Sequence, residues 1–390
     1  MKGTPKNLST MLQGSNWPGF VRLYGLPEFP GSGECTYASS RSTSVIDYVF
    51  VSPSFEPLIS DFVASCVSLK KEMILNHSTV SEFVLLEFSE IRELQILHFI
   101  LFLVWYFATV TGNLLIIFAV VFVHHLHTPM YFFLMNLAIS DIGLISAIVP
   151  KSMANSFTSV RLITYSGCVA QVFFYVLFIV SDFYLLTVMA YDRYVAICNP
   201  LHYEMVMNRE RCLEMVSGVW IGGLFLGVLH TSSILAMPFC SNIVNQFFCE
   251  IPQLLKLTCS DLYLIELGAI AFSSTFGFSC CIFILVSYVL IFTVVLRMPS
   301  AQGRKKAFST CLPHLIIFST FVVTSSFAYF RPPSNGSSPL DVALSITYSM
   351  VPPLLNPVIY SMRNKEIKAA LSKLLSARNS SRNLSFHFLR

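Results

Sequence analysis

Charged residues are scarce in this sequence. Its 390 residues include 25 Lys or Arg and 21 Asp or Glu, which is 12% of the chain, against about 25% in soluble domains. Only 21 of these charges fall within the 264 residues of segment 99–362, too few to cover a surface that faces water. Hydrophobic residues make up 54% of the chain, and the mean hydropathy is +0.66. This composition excludes a soluble globular protein and indicates an integral membrane protein with two polar ends.

A strong charge of one sign is also missing. The net charge is only +4, and no clustered basic footprint of the kind that binds nucleic acid is present. Metal-ligand spacings and nucleophile motifs do not occur either. We therefore expect no nucleic-acid partner and no enzymatic activity.

Seven stretches of the middle segment are long and apolar enough to cross a bilayer. A helix needs about 20 mostly apolar residues to span a hydrocarbon core about 30 Å thick, whereas a membrane β-barrel shows short alternating segments. The sequence therefore predicts an all-α membrane protein, a bundle of seven transmembrane helices. The predicted spans are 99–123, 131–149, 168–191, 215–235, 267–296, 307–330 and 342–362.

The distribution of Lys and Arg predicts the orientation, because short cytoplasmic loops carry an excess of positive residues. With the N-terminus outside, 14 basic residues fall on the cytoplasmic side and five lie near the spans on the outer side. We expect an extracellular N-terminus, a cytoplasmic C-terminus and a multi-pass protein of the plasma membrane.

The first 72 residues differ from the rest. One third of them, 24 residues, are Ser, Gly or Pro, and no helical or strand period is sustained, which predicts a disordered N-terminal extension. Met73 is a second candidate start, and Asn76 begins the glycosylation acceptor N-H-S directly after it. We expect segment 73–98 to be extracellular, Asn76 to be glycosylated and segment 1–72 to be dispensable.

The C-terminal segment 363–390 carries an apolar stripe. Ile367, Leu371, Leu374 and Leu375 share one helical face, and lysines lie on the other faces. This pattern predicts a short amphipathic helix on the inner leaflet, where anionic membrane lipid attracts Lys and Arg. A solvated tail is the alternative.

Asp192 and Arg193 stand side by side at the cytoplasmic end of the third span. Such a pair can hold the Arg until a change of state releases it to a partner, whereas ordinary snorkelling of an interfacial Arg needs no switch. Both residues belong to the stretch M-A-Y-D-R-Y-V-A-I-C-N-P-L-H-Y at 189–203.

This stretch resembles the signature of vertebrate olfactory receptors, a branch of the rhodopsin-like G-protein-coupled receptors. Other segments resemble that family in the same order along the chain. They are G-N at 112–113, L-H-T-P-M-Y-F-F-L at 126–134, K-A-F-S-T-C at 306–311 and P-L-L-N-P-V-I-Y-S-M-R-N-K at 353–365. The resemblance covers about 73–375 and leaves 1–72 outside.

Asp141 and Asp182 are the only carboxylates in the predicted spans, where an ionised side chain is costly unless it is paired or solvated. Two acids that face each other would share a proton or bind a cation; two acids hydrated or protonated independently are the alternative. The resemblance implies a structural sodium ion that favours the resting state, with Asn113 and Asn356 beside it. No other cofactor is expected.

Four cysteines lie on the predicted outer side. Cys168 opens the third span, and Cys240, Cys249 and Cys259 follow in one outer loop. An oxidising lumen favours disulfides, and four cysteines allow three connectivities. The resemblance implies the pairs Cys168–Cys249 and Cys240–Cys259.

Pro357 lies inside the seventh span, where a proline removes a backbone hydrogen bond and permits a kink. The kink is either static or a hinge. The resemblance implies a hinge, with Tyr288 and Tyr360 moving toward Arg193 as the sixth span moves outward. The predicted activation-switch residues are Asp192, Arg193, Tyr194, Tyr288, Asn356, Pro357 and Tyr360.

No predicted span contains a Lys or Arg that could anchor an acid or a phosphate, so the pocket is expected to be apolar with a few hydroxyls. Molecules of odorant size fit such a pocket. Helical spacing groups candidate residues on single faces of four spans, although plain helix packing gives the same spacing. The predicted ligand-binding residues are Val172, Tyr175, Val176, Ile179, Phe272, Ser273, Phe276, Ser325, Tyr329, Ile346 and Ser349.

The sixth span departs from the family pattern at two points. The family usually carries F-Y-G where residues 321–323 read F-V-V, so the Tyr hydroxyl of that pattern is missing. Pro313 stands where Ser is common, and we expect the inner part of this span to bend differently.

These features together predict an odorant-binding receptor for a small, mostly apolar molecule that activates a stimulatory, olfactory-type heterotrimeric G protein. The rival is a multi-span transporter or ion channel, in which the intramembrane acids would line an ion path. The sequence shows neither the inverted repeat nor the matched pair of broken helices that typify transporters.

Overall fold

The structure is a computed structural model that describes residues 20–21, 49–50, 80–86, 91–158, 160–259, 262–330, 339–363 and 369. The chain divides into two units, Met1–Leu75 and Asn76–Arg390. In the first unit, strand β1 (Phe20–Val21) pairs antiparallel with β2 (Val49–Phe50), a pairing that had not been predicted. Apart from these strands, the predicted disordered extension lies outside the described residues. So do Asn76 and, except for Ala369, the predicted amphipathic helix after Arg363.

The described residues of the second unit include seven long helices. Each is long and apolar enough to cross a membrane, and each coincides with one of the predicted spans to within one residue or extends past it, which confirms the seven-helix prediction. The helices are α1 (Arg92–Phe122), α2 (Pro129–Thr158), α3 (Tyr165–Cys198), α4 (Arg209–Leu235), α5 (Tyr263–Arg297), α6 (Ala301–Phe330) and α7 (Pro339–Arg363).

Most helices run past the spans predicted from hydropathy. The apolar run of α2 ends near residue 149, yet the helix continues through Pro150 to Thr158. Ser152 fixes this extra length, because its hydroxyl lies within 3.2 Å of the Ile148 carbonyl and within 3.0 Å of the Phe247 carbonyl. Hydropathy identifies only the part of a helix that lies in hydrocarbon. The helix itself continues as long as its backbone hydrogen bonds do.

A small sheet covers one end of the bundle, called here the sheet end. Strand β3 (Glu82–Leu85) lies in the middle, antiparallel to β4 (Leu162–Thr164) and parallel to β5 (Ile243–Val244). β4 connects α2 to α3, and β5 belongs to the loop between α4 and α5. No strand had been predicted here, because the partners lie far apart in the sequence and strand pairing of this kind depends on tertiary context.

The sheet turns its apolar face toward the helices. Phe83 and Leu85 are each 1% exposed, whereas Glu82 points to the exposed face. The ring of Phe83 lies 5.3 Å from the ring of Phe239 in an edge-on contact and 6.1 Å from that of Tyr165. The described segment before α1 is therefore packed against the bundle and is not a loose arm.

The loop between α4 and α5 is fastened at the sheet end. The disulfide Cys168–Cys249 ties it to α3, and Cys240–Cys259 closes it on itself, the pairing that the resemblance implies. The backbone N–H of Cys249 also donates to Gln171 Oε1 at 2.8 Å. Free cysteines in the described segments are Cys198, Cys212, Cys280, Cys281 and Cys311.

Glu250, next to this disulfide, joins the same loop to α7. It is 5% exposed, and its carboxylate accepts hydrogen bonds from Gln246 Nε2 and Ser345 Oγ, both at 3.3 Å, and from the hydroxyl of Tyr348. Burial raises the pKa of the Glu250 carboxyl, and the hydrogen bonds from these side chains partly oppose the shift. The loop is thus bound to both α3 and α7.

Apolar clusters fill the half of the bundle away from the sheet. One cluster extends from α1 through α2 and α3 to α4. Another joins α3, α5 and α6 around Ile284 and Ile291, which are both fully buried. Helices α1 and α7 approach closely, since a Cβ added to Gly112 would lie 3.1 Å from the ring of Pro357. This approach explains why α1 carries glycine at residue 112.

Phe83→Ala is expected to lower the free energy of unfolding by about 3–5 kcal/mol, because truncating a buried Phe removes apolar contacts and leaves a cavity. The measurement is thermal unfolding of the purified full chain in nanodiscs. Glu82→Ala, on the exposed face of the same strand, is the matched control. Equal melting temperatures for the two variants would show that β3 does not pack on the bundle.

Glu250→Gln is expected to reduce the pH dependence of thermal stability. A raised pKa means that the folded state holds the proton more tightly than the unfolded state does. The stabilising contribution is therefore complete below the ordinary value of 4.5 and is lost as the pH rises through the folded pKa. Wild type should lose stability relative to the Gln variant as the pH increases, and a constant difference between them would contradict the shift.

Candidate functional site

Arg193 lies near the end of α3 away from the sheet and is 4% exposed. Its Nη1 donates to the backbone carbonyl of Thr310 on α6 at 2.7 Å. Asp192 instead accepts a 2.8 Å hydrogen bond from the hydroxyl of Tyr203, in the short helix Tyr203–Val206. Within the described segments no carboxylate lies within 4 Å of the Arg193 guanidinium. The two neighbours therefore hold separate partners, and Arg193 joins α3 to α6.

Tyr203 had not been singled out from the sequence. Burial and the neighbouring Asp192 carboxylate raise the pKa of its phenol, so the hydroxyl keeps its proton and remains the donor. The bond anchors the short helix after α3 to the end of α3 itself.

His314 is a second link between helices at the same end, and its role had not been predicted. It is fully buried; Nε2 lies 2.8 Å from the Leu186 carbonyl on α3, and Nδ1 lies 2.9 Å from the Tyr288 hydroxyl on α5. A carbonyl only accepts, so Nε2 carries the proton and Tyr288 donates to Nδ1. His314 thus binds α6 to both α3 and α5.

The other predicted switch residues surround these links. Tyr194 packs between the two apolar clusters of this half. Tyr360 is 4% exposed, and its hydroxyl has no hydrogen-bond partner among the described residues. Tyr288 is held by His314, and Pro357 packs against α1.

Asp141 on α2 and Asp182 on α3 are both buried, at 1% and 8% exposure. The Nδ2 of Asn356 lies 3.1 and 2.9 Å from the two Asp141 oxygens, so α7 is bonded to α2 at this depth. Asn113 instead donates to the carbonyl of Pro353 at 3.0 Å. The structure brings Asn356 to Asp141, and it directs the donor group of Asn113 to the α7 backbone.

These groups fit a small hard cation. The buried atoms Asp182 Oδ1, Asn356 Oδ1 and Asn113 Oδ1 have no hydrogen-bond donor within the described segments. Carboxylate and amide oxygens are the ligands that hard cations prefer. No group of three or more His, Cys, Asp and Glu side chains able to hold a metal occurs in the described part of the chain, and a transition-metal centre is not indicated.

The predicted ligand residues of α3 and α7 lie beneath the fastened loop. Val172, Tyr175 and Val176 are buried in one cluster with the loop, and Ile179 and Ile346 pack against that cluster. Ser349 is fully buried, and its hydroxyl donates to the carbonyl of Ser345. These residues form an apolar wall with few hydroxyls.

The predicted residues of α5 and α6 are placed differently. Phe272 and Phe276 are 44% and 49% exposed, and their rings lie 4.9 Å apart in a tilted contact; Phe272 also contacts Phe225 of α4. They lie toward α4, apart from the buried wall. Ser325 is partly buried on α6, and the side chain of Tyr329 lies outside the described ones.

Ser273 contacts a buried pair, His230 and Glu266, that had not been predicted. His230 of α4 is 5% exposed, Glu266 of α5 is 0% exposed, and His230 Nδ1 lies 2.5 Å from Glu266 Oε1. His230 Nε2 lies 3.2 Å from Ser273 Oγ. Glu266 falls one residue before the predicted fifth span and His230 counts as uncharged, so hydropathy gave no signal for either.

A groove of about 480 Å³ opens between α2, β4 and α3, with Lys151, Thr164 and Phe174 among its lining residues. None of its lining residues belongs to the predicted ligand set. The groove lies outside the apolar wall and does not enter the proposed site.

Known proteins share both the sequence and the fold of this chain. The family model described as olfactory receptor matches residues 101–378. Human olfactory receptor 14J1 is 46% identical over 304 residues, which cover 78% of this chain and 95% of that protein. Human olfactory receptor 14C36 is 46% identical over 301 residues, covering 77% and 96%.

A crystal structure of squid rhodopsin superposes with a TM-score of 0.58 at 18% identity, covering 77% of this chain and 91% of that chain. This likeness shows the fold, a rhodopsin-like arrangement of seven membrane-spanning helices. Segment 1–72 lies outside the family match. The chain therefore belongs to the olfactory receptor family and is an odorant-sensing G-protein-coupled receptor.

Proposed function

We propose that this receptor detects a small, mostly apolar odorant at the plasma membrane and activates a stimulatory, olfactory-type heterotrimeric G protein. In this proposal the sheet end is extracellular and the Arg193 end is cytoplasmic. The 14 basic residues on the cytoplasmic side support this orientation. The disulfides Cys168–Cys249 and Cys240–Cys259 also lie at the sheet end, where an oxidising compartment maintains them.

The observation that carries the proposal is the hydrogen bond from Arg193 to the Thr310 carbonyl. Together with the two bonds of His314, it holds α6 against α3 and α5, which is a resting arrangement. An outward movement of α6 breaks these bonds and frees Arg193 for a G protein. An odorant activates only if it binds the open arrangement more tightly than the closed one.

The chemistry of the ligand follows from the wall beneath the loop. Val172 and Val176 are apolar, Tyr175 and Ser349 supply the polar atoms, and all four are buried. No predicted span contains a Lys or Arg. Such a surface suits a small apolar molecule with one polar group.

The proposal includes a sodium ion between Asp141 and Asp182 in the resting state. A cation at this depth neutralises two carboxylates where unpaired charge is costly. The oxygen ligands are the two carboxylates together with Asn356 Oδ1, which lacks a donor in the described part of the chain. Because Asn356 belongs to α7 and Asp141 to α2, a movement of α7 would separate the ligands and weaken the site.

An odorant panel tests the function in cells that express the full chain with the olfactory-type G protein. At least one small apolar odorant is expected to raise cyclic AMP, and Arg193→Ala should abolish this response. His314→Phe removes a buried bridge of three helices, worth about 1–3 kcal/mol. It is therefore expected to raise ligand-independent cyclic AMP about tenfold or more.

Leu312→Ala, an exposed position on the same turn of α6, is the matched control and should leave basal cyclic AMP unchanged. Surface labelling of every variant separates signalling from trafficking. Ligand-independent ion currents without a cyclic AMP response would contradict the receptor proposal and support the channel alternative.

Sodium dependence tests the ion site. Replacing external and internal sodium by N-methylglucamine is expected to raise basal cyclic AMP several-fold, because the resting state loses its cation. Asp182→Asn should make the basal signal insensitive to sodium, since the site loses one of its two negative charges. A wild-type signal that does not change with sodium would contradict the proposed ion.

A further inference from the structure

The pair His230–Glu266 joins α4 to α5 through a contact that neither the switch nor the sodium site uses. His230 is 5% exposed and Glu266 is 0% exposed. The two meet at 2.5 Å between Nδ1 and Oε1, and the other ring nitrogen faces Ser273 Oγ at 3.2 Å. Separating a buried pair would leave one partner unpaired, which is costly. His230 is therefore held in place, and its other ring nitrogen stays beside the Ser273 hydroxyl.

The hydroxyl hydrogen of Ser273 is used inside the protein. Its oxygen lies 3.2 Å from His230 Nε2 and 3.1 Å from the carbonyl oxygen of Ile270. If His230 is neutral with its proton on Nδ1, Nε2 accepts from Ser273. If Nε2 carries a proton, it donates to Ser273 Oγ, and the Ser273 hydrogen then goes to the Ile270 carbonyl.

The Ser273 hydrogen has an internal acceptor in every proton arrangement of the His230–Glu266 pair. The proton between His230 and Glu266 can lie on either group, and the imidazole can carry one or two protons. In each case the single hydrogen of Ser273 has an internal acceptor, and Oγ keeps at least one free lone pair. Ser273 therefore presents an acceptor and not a donor.

Ser273 lies on the inward face of α5. Glu266, Ile270, Ser273 and Gly277 follow one another at spacings of three or four residues, which places them on one helical stripe. Farther along α5, the same stripe reaches Ile284, which is fully buried. The stripe therefore faces the bundle throughout its length.

The inward face borders the predicted ligand wall and has room beside Ser273. Ile270 packs against the cluster that contains Val172 and Tyr175. A Cβ added to Gly277, one turn from Ser273, would meet no atom within 4 Å. Ser273, one turn from Ile270 on the same stripe, therefore lies next to the wall.

We propose that His230 and Glu266 hold Ser273 as a hydrogen-bond acceptor in the odorant site, so that the receptor selects alcohols and phenols over carbonyl compounds of the same shape. The proposal rests on the odorant-binding function proposed above. A ligand hydroxyl donates to the free lone pair of Ser273. An aldehyde, ketone or ester presents only lone pairs to that oxygen and leaves both groups unpaired.

The test compares ligands that share a carbon skeleton, in the cyclic AMP assay with the full chain. Primary alcohols of six to ten carbons are paired with the aldehydes and methyl esters of the same chain length. The half-maximal concentration is expected to be about tenfold lower for the alcohol, which is the effect of one unsatisfied hydrogen bond. Equal potency of the two classes in wild type would overturn the proposal.

Variants of Ser273 test the acceptor directly. Ser273→Ala should raise the half-maximal concentration of the alcohol about tenfold and leave that of the aldehyde unchanged. Ser274→Ala, the exposed neighbour on the other face, is the matched control and should change neither. Ser273→Gly replaces the Ala variant if that variant fails to reach the surface. An equal loss for both ligand classes would overturn the proposal.

Variants of His230 test the positioning role through the potency ratio of alcohol to aldehyde, which a general loss of stability does not change. His230→Phe leaves Ser273 with the Ile270 carbonyl but without the imidazole. The Ser273 hydroxyl can then also turn to donate to a ligand carbonyl, so the ratio should fall toward one. His230→Gln keeps a polar group near Oγ and should preserve the ratio. A ratio unchanged by His230→Phe would overturn the role of the pair.

Failure of this inference can be distinguished from failure of the proposed function. If no odorant of the panel raises cyclic AMP, the receptor function itself is overturned. If odorants activate the receptor but only those without a hydroxyl or amine donor do so, the function stands and the acceptor role of Ser273 is overturned.

Discussion

A hydrocarbon surrounding supplies no hydrogen bonds, so each polar group within the bundle needs a partner in the protein or in what the protein binds. Helices satisfy their own backbone, and the polar side chains remain. In this receptor several of them are paired across two helices, as Arg193 is with the Thr310 carbonyl and Asn356 with Asp141. A polar residue thus serves as a connection between helices, and because such a connection breaks when helices separate, it also serves as a switch.

The same constraint explains where polar atoms are left without partners. Asp182 Oδ1 and Asn356 Oδ1 lie buried with no donor in the described part of the chain, at the depth where Asp141 adds a second carboxylate. A local rule of pairing that is broken in this way indicates a functional site. The unpaired oxygens are the observation behind the sodium ion proposed above.

Much of this architecture was predictable from the sequence, because hydropathy alone determines which segments enter the membrane. The seven spans, the two intramembrane acids and the position of Arg193 at the end of the third span follow from single stretches of chain. Strand β3 was not predictable, because its partners lie far away in the sequence. His314 and the pair His230–Glu266 were missed for a related reason: their roles arise from contacts between different helices, and a neutral His or a Glu at the edge of a span leaves little trace in a charge count.

Helix α5 connects the two functional ends. Ser273 and Tyr288 lie on its inward stripe, separated by 15 residues and therefore by about 22 Å along a helix. A helix is stiff over this distance, so a ligand that displaces α5 at Ser273 also moves Tyr288, whose hydroxyl donates to His314 on α6.

The energies suit such a mechanism. In the proposed mechanism the polar links that hold α6 closed are few, those of Arg193 and His314, each worth about 1 kcal/mol net. An odorant therefore needs only a few kcal/mol of preference for the open arrangement to reverse the populations, which is within reach of one hydrogen bond and a modest apolar contact. With more polar links, an odorant would need a stronger preference for the open over the closed arrangement than a molecule of its size can supply. The small number of polar links therefore suits the small size of the ligand.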